Sequence, residues 1–188
     1  MDKMNMKAYQ EALSHLFETI GEDPNREGLL RTPERMANMY QQFITGHQVS
    51  SDELLGPPIP FEATFGLETL LIDHIPFCAL CEHHLVPFYG EVHLTYIPNQ
   101  SILGLGRIYH YVESVSRKLV LQEKLCSEIA TTLFEKLKPH ALLVKMTALH
   151  SCSALSQKIP KGTSLSTQSF RGNKKFQTQL IQQIHDLT

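Results

Sequence analysis

Cys81-Glu82-His83-His84 and, far downstream, His150-Ser151-Cys152 put two thiols and three imidazoles into two tight clusters. Zinc takes Cys and His ligands in a tetrahedral shell, and a catalytic zinc keeps three protein ligands and one position for water. Cys81, His84 and Cys152 would complete such a shell, leaving His83 and His150 as acid and base beside it. That set describes a hydrolase. Taken singly, a cysteine is more often a small buried hydrophobe, and a lone histidine is more often satisfied structure than a ligand. Pairing of the two clusters is what favours a metal site. Cys78-Ala79-Leu80-Cys81 also has C-x-x-C spacing, which opens a redox pair or a closed four-ligand structural zinc. The segment opens no βαβ pattern, which weighs against redox, and a Cys78 ligand would leave no catalytic position.

Such residues need a scaffold. A chain of 188 residues has the length of one domain with a real core. Its composition, 42% hydrophobic and 19% charged, is that of a globular protein. A formal net charge of -2 gives no global attraction for nucleic acid or anionic membrane, so neither is an expected partner. No run approaches the ~20 apolar residues of a membrane span, and the N-terminus has no signal-peptide pattern. Four cysteines in that setting favour reduced thiols and metal chemistry over disulfides, and a cytoplasmic location is expected.

Tyr9, Leu13, Leu16, Phe17 and Ile20 recur at helical spacing. Thr32-Pro33-Glu34 reads as a second helix start, followed by an apolar face of Met36, Met39, Tyr40 and Phe43 and a stop at Gly46. These give an N-terminal helical arm over 1–48, and the Pro-rich Ser50 to Pro60 segment reads as a linker. Strands are expected at Phe61 to Phe65, Thr69 to Ile75 and Tyr89 to Ile97, the last alternating Val92, Leu94 and Tyr96 with Glu91, His93 and Thr95. Helices follow at Gly104 to Lys118 and from Leu121 toward Pro139, then a strand from Leu143 to His150. Side chains in a strand repeat every second residue, so an extension of that strand would aim His150 and Cys152 into one pocket. The tail after Gly162 is polar and basic and ends in a short amphipathic segment. Helices first, then strands enclosing two adjacent helices, indicate an α+β fold with a largely antiparallel sheet over 59–188.

The chain resembles the GTP cyclohydrolase I family. Gly21-Glu22-Asp23-Pro24-Asn25-Arg26-Glu27-Gly28 through Thr32-Pro33-Glu34-Arg35 looks like the family's N-terminal signature, and Cys81-Glu82-His83-His84-Leu85-Val86-Pro87-Phe88-Tyr89-Gly90 like its central motif. Tyr96-Ile97-Pro98, Gly104-Leu105, Gln122-Glu123 and Ala148-Leu149-His150-Ser151-Cys152 follow in order at family spacing. The resemblance implies the tunnelling fold, an antiparallel sheet with two helices on one face. It also implies a homodecamer of two pentameric rings with active sites between subunits. The reaction implied is hydrolytic opening of the guanine imidazole ring of GTP, releasing formate and giving 7,8-dihydroneopterin triphosphate, the first step of pterin and tetrahydrofolate biosynthesis. Cys81, His84 and Cys152 would hold Zn2+. His150 would protonate the purine nitrogen, His83 would serve later proton transfers, and Glu123 with Gln122 would bind the guanine edge.

Departures from the family cluster at one task. Where the family carries Ser-Lys after Gly-Leu and an Arg three residues beyond, this chain has Gly106-Arg107 and His110. Where it carries an Arg-Gly pair after the second His-x-Cys, Ser156-Gln157 stand. Those family cations hold the triphosphate. Charge-assisted contacts contribute about 1.5–3 kcal/mol each, so two uncompensated losses weaken binding on the order of a hundredfold or more. Arg107 and His110 remain at those positions, and Arg35, Lys118, Lys158, Lys161 or Arg171 could restore charge. The alternatives to a divergent GTP cyclohydrolase are a zinc hydrolase of the same fold acting on a purine or pterin with fewer phosphates, or a non-catalytic pterin-binding paralogue.

Overall fold

Two amphipathic helices open the chain. In this computed structural model, which describes residues 5–62, 69–155, 159–160 and 162–185, α1 spans Met6–Thr19, its first turn capped by the Asn5 side chain accepting from the Ala8 amide. Helix α2, Thr32–Phe43, carries Pro33 in its first turn, where an amide would have no helical partner anyway. A short α3, Ser51–Leu55, capped by Ser50, lies within the Pro-rich segment, and Leu55 is fully buried in the main core.

Strand β1 (Ile59–Pro60) precedes two long strands, β2 (Leu70–Cys81) and β3 (Pro87–Ile97), and a short β4 (Ser101–Ile102) that pairs with β1. Next come α4 (Leu105–Ser116), β5 (Leu119–Val120), α5 (Gln122–Leu137) and β6 (Ala141–His150). The chain ends with α6 (Ser151–Leu155), β7 (Ser164–Gly172) and α7 (Gln177–His185). The main sheet runs β5-β2-β3-β6-β7 and is antiparallel except where β5 lies parallel to β2. This is the α+β tunnelling-fold arrangement. Val92, Leu94, Tyr96, Leu142, Val144 and Met146 form one core with Ile108, Tyr111 and Val112 of α4 and Leu125, Ile129 and Leu133 of α5.

Alternation places Glu91, His93 and Thr95 on the opposite face, which a third helix partly covers. Leu180 and Ile184 of α7 pack on Ile97, Ala141 and Leu143, and Thr95 Oγ1 donates to Gln183 Oε1 at 2.8 Å. Among the described residues no helix is long and apolar enough to cross a membrane.

Three sequence expectations change. The strand expected from Thr69 to Ile75 runs on to Cys81, past a bulge between Ile72 and Ile75 at which His74 takes φ 52°. The strand expected at Phe61 to Phe65 is not formed at Phe61 and Glu62, and 63–65 lie outside the described residues. Strand β6 stops at His150: a helical turn, closed by Ser153 Oγ donating to the His150 carbonyl at 2.7 Å, carries Cys152 instead. Cys152 therefore reaches its place through a bend, not through strand alternation.

Gly90 of β3 faces Ala148 of β6 in this register. A Cβ there would collide with the Thr147 carbonyl oxygen and lie 2.8 Å from Ala148 Cα. Gly90→Ala is expected to force β3 and β6 apart and lower stability by about 1–3 kcal/mol, read as a fall in the denaturant midpoint; an unchanged midpoint would contradict the close approach.

Candidate active site

Strand register brings the two sequence clusters together. Ala79 of β2 pairs with Phe88 of β3, and Phe88 pairs with His150 of β6, so β2 and β6 end at one edge of the sheet. Cys81, 3% exposed, ends β2 and closes a tight turn: its amide donates to the Val86 carbonyl at 3.0 Å, and its carbonyl accepts from the Leu85 amide at 2.9 Å. Leu85 completes the turn with φ 57°, and the Tyr40 hydroxyl of α2 donates to its carbonyl at 2.7 Å. His83 and His84 ride exposed on that turn, their rings edge to face 6.2 Å apart. A cavity of about 330 Å³ is bordered by Cys81, His83, His84, Gln122, Glu123, His150 and Cys152. Both thiols, all three imidazoles and the first two residues of α5 thus meet in one place.

Gln122 fixes His150. The carboxamide is 1% exposed, and its Nε2 donates to the carbonyls of Met146 (3.1 Å) and Leu165 (3.0 Å) and to Thr167 Oγ1 (3.2 Å). Its oxygen must then be the atom 2.9 Å from His150 Nε2. A carbonyl oxygen only accepts, so Nε2 carries the proton and Nδ1 is left as the exchangeable nitrogen. The ring is also stacked on Phe88 at 4.8 Å with 6° between planes. Burial lowers the His150 pKa from its ordinary value; the Glu123 carboxylate opposes that shift and His83 adds to it. Gln122, expected on the substrate, borders the cavity with its carboxamide engaged in these contacts.

Other expected residues lie elsewhere. An offset of three on a strand reverses the face, and Cys78 borders a second cavity with Tyr109, Glu113 and Arg117 instead of the one holding Cys81. Its thiol pKa is raised by burial, opposed by Arg117. The C-x-x-C pair is therefore split. Cys126 is a core residue whose thiol burial pushes up to about 11. Arg107 Nη1 donates to the Leu55 carbonyl at 2.9 Å, His110 Nδ1 sits 3.9 Å from Glu113 Oε2, and Arg35 is exposed on α2; none borders the cavity. Lys118 is paired with Glu128 at 2.6 and 2.7 Å, and Arg171 is held by Ser127, Thr131 and Ser169. Ser156, Lys158 and Lys161 lie outside the described residues.

One group went unread in the sequence. Among the described residues, only the possible donor atoms of His74, Glu91 and His93 all lie within 4.8 Å of one another; Cys81, His84 and Cys152 share a cavity without that close spacing. Glu91 and His93 stand on one strand face, a visible signal, but His74 joins them only through the cross-strand bulge.

Comparison with known proteins places these motifs in a lineage. The sequence model of the GTP cyclohydrolase I family matches residues 9–188. The chain is 40% identical to GTP cyclohydrolase 1 of Streptococcus mutans, over 96% of this chain and 95% of that one. It is 39% identical to GTP cyclohydrolase 1 of Bacillus subtilis and 37% identical to that of Rickettsia prowazekii, in each case over 92% of this chain and 90% of the relative.

Replacing Gln122 with Leu strips the Met146 and Leu165 carbonyls of their donor and releases the His150 ring. The expected cost is about 1–3 kcal/mol in denaturant unfolding, with His150 passing from one tautomer to a mixture in 15N-histidine NMR. An unchanged tautomer would remove Gln122 from its positioning role.

Proposed function

Because the chain belongs to the GTP cyclohydrolase I family, we propose that it opens the guanine imidazole ring of GTP by zinc-dependent hydrolysis, giving formate and 7,8-dihydroneopterin triphosphate for tetrahydrofolate synthesis. The observation that carries the proposal is the meeting of two thiols, three imidazoles and the Glu123 carboxylate at one cavity. Two thiolates and an imidazole suit zinc, and Cys81, His84 and Cys152 would hold it. When bound, zinc acidifies water to a pKa around 7 and so supplies the nucleophile for hydrolysis.

The protein's own groups do the rest. Glu123, in the first turn of α5, accepts hydrogen bonds from N1–H and the exocyclic amine, the adjacent donors that distinguish a guanine edge. His150, with Nε2 held by Gln122, would take up at Nδ1 the proton shed by the attacking water and pass it to the purine nitrogen as the ring opens; burial, which lowers its pKa, makes the imidazolium so formed a ready donor. His83, on the exposed turn, moves protons in the later rearrangement. We further propose that the site is completed between subunits of a homodecamer, where Arg35 and His110 would face a neighbour's cavity.

A second substrate class is favoured by specific residues. Arg107 is engaged at the Leu55 carbonyl, and Ser156 replaces a family cation. Both point to a purine or pterin with fewer phosphates.

Formate release from GTP, GMP and guanosine by zinc-loaded protein separates the two. Preference for GTP is expected, with Glu123→Ala lowering kcat/KM about 10- to 150-fold, the equivalent of one charge-assisted contact. Preference for GMP or guanosine would establish the second reading. Full activity in Glu123→Ala would remove that carboxylate from guanine recognition.

A further inference from the structure

We propose that His74, Glu91 and His93 form a second site, for a divalent transition-metal ion, on the sheet face opposite α4 and α5. The bulge in β2 makes it. Ile72 pairs with Leu94 and Ile75 with Val92, so Asp73 and His74 together stand opposite the single residue His93. That extra residue, with His74 at φ 52°, brings its ring edge to face with His93 at 5.2 Å between centroids. Glu91 Oε2 lies between them, 2.7 Å from His74 Nδ1 and 3.9 Å from His93 Nε2. Ligands at ~2.1 Å around a tetrahedral ion stand about 3.4 Å apart, so the two separations bracket the required one.

Two features distinguish this group from an ordinary surface ion pair. His93 is 3% exposed; among the described residues its Nδ1 is buried without a partner, and its Nε2 faces Glu91 Oε2 at 3.9 Å, beyond hydrogen-bond reach. An ion at the mouth of the cluster would bind this imidazole through Nε2, the nitrogen that faces Glu91. The charge balance also suits a dication. Lys145, buried at 6% exposure and paired with His93 across β3 and β6, opposes a cation. Glu91 and Asp73, the latter 3.8 Å from His74 Nε2, outweigh it. The His74 and Glu91 side chains are 60% and 50% exposed, which leaves a way in from solvent. Two imidazoles and a carboxylate suit Zn2+, Co2+ or Ni2+ in preference to Ca2+ or Mg2+. The group shares no residue with the active-site cavity, so the two sites are separable. An ion here would pin the β2 bulge to β3.

Co2+ alone, titrated into metal-stripped full-length protein and followed by absorption, tests the proposal. Thiolate-to-cobalt charge transfer reports the cavity of Cys81 and Cys152; ligand-field bands without that transfer report the histidine cluster. Two equivalents per chain are expected. The one lacking thiolate transfer is expected to weaken at least tenfold in His74→Asn and in Glu91→Gln, with the thiolate band intact. Asn tolerates a left-handed backbone and His74 is exposed, so His74→Asn leaves the fold in place. In Cys152→Ala the thiolate band falls while the His74-dependent equivalent stays, which separates failure of this site from failure of the active-site assignment. Absence of an equivalent lacking thiolate transfer, or one indifferent to both His74→Asn and Glu91→Gln, overturns the proposal.

Discussion

A buried carboxamide with only one satisfiable orientation governs the edge of the candidate active site. Gln122 Nε2 faces two carbonyls and a hydroxyl from β6 and β7, and its oxygen faces His150. Reversing the amide would set oxygen against oxygen in a dry site, at the cost of unsatisfied buried groups. The start of α5, the end of β6 and the β7 ladder are therefore locked in one arrangement. That lock also decides which nitrogen of His150 can exchange a proton.

Register supplies the second constraint. Strands β3 and β6 pair without a slip from Phe88↔His150 to Ile97↔Ala141. A slip of one residue would turn His150 to the other face and expose the row of Leu142, Val144 and Met146. Burial of that row beneath α4 and α5 therefore holds the imidazole at the cavity and on the Phe88 ring. Packing and chemistry are set by the same ladder.

Much of this was legible in the chain. The two Cys/His clusters stand at the ends of periodic segments, so their meeting at a strand edge could be expected, and the leucine spacing of α5 placed Glu123 in a first turn. Other elements were hidden for physical reasons. Pro76 discourages a strand, yet β2 runs through it to Cys81. Alternation gave no sign of the helical turn that carries Cys152. The role of α7 came from tertiary packing, since a short amphipathic segment does not say which surface it will cover. Arg107, read as a replacement phosphate ligand, donates within its own chain to the Leu55 carbonyl, and a long side chain's direction is not encoded by its position in a motif. The His74 cluster depends on a bulge, and no local sequence pattern reveals a cross-strand partner.

The proposed chemistry requires Cys81, His84 and Cys152 to bind one metal ion beside His150. X-ray absorption at the zinc edge, on protein carrying one zinc per chain, tests this most directly. We expect a four-coordinate shell of two sulfurs at about 2.3 Å and two nitrogen or oxygen donors near 2.0–2.1 Å. A shell of nitrogen and oxygen alone would contradict the assignment and move the bound ion away from the two thiols.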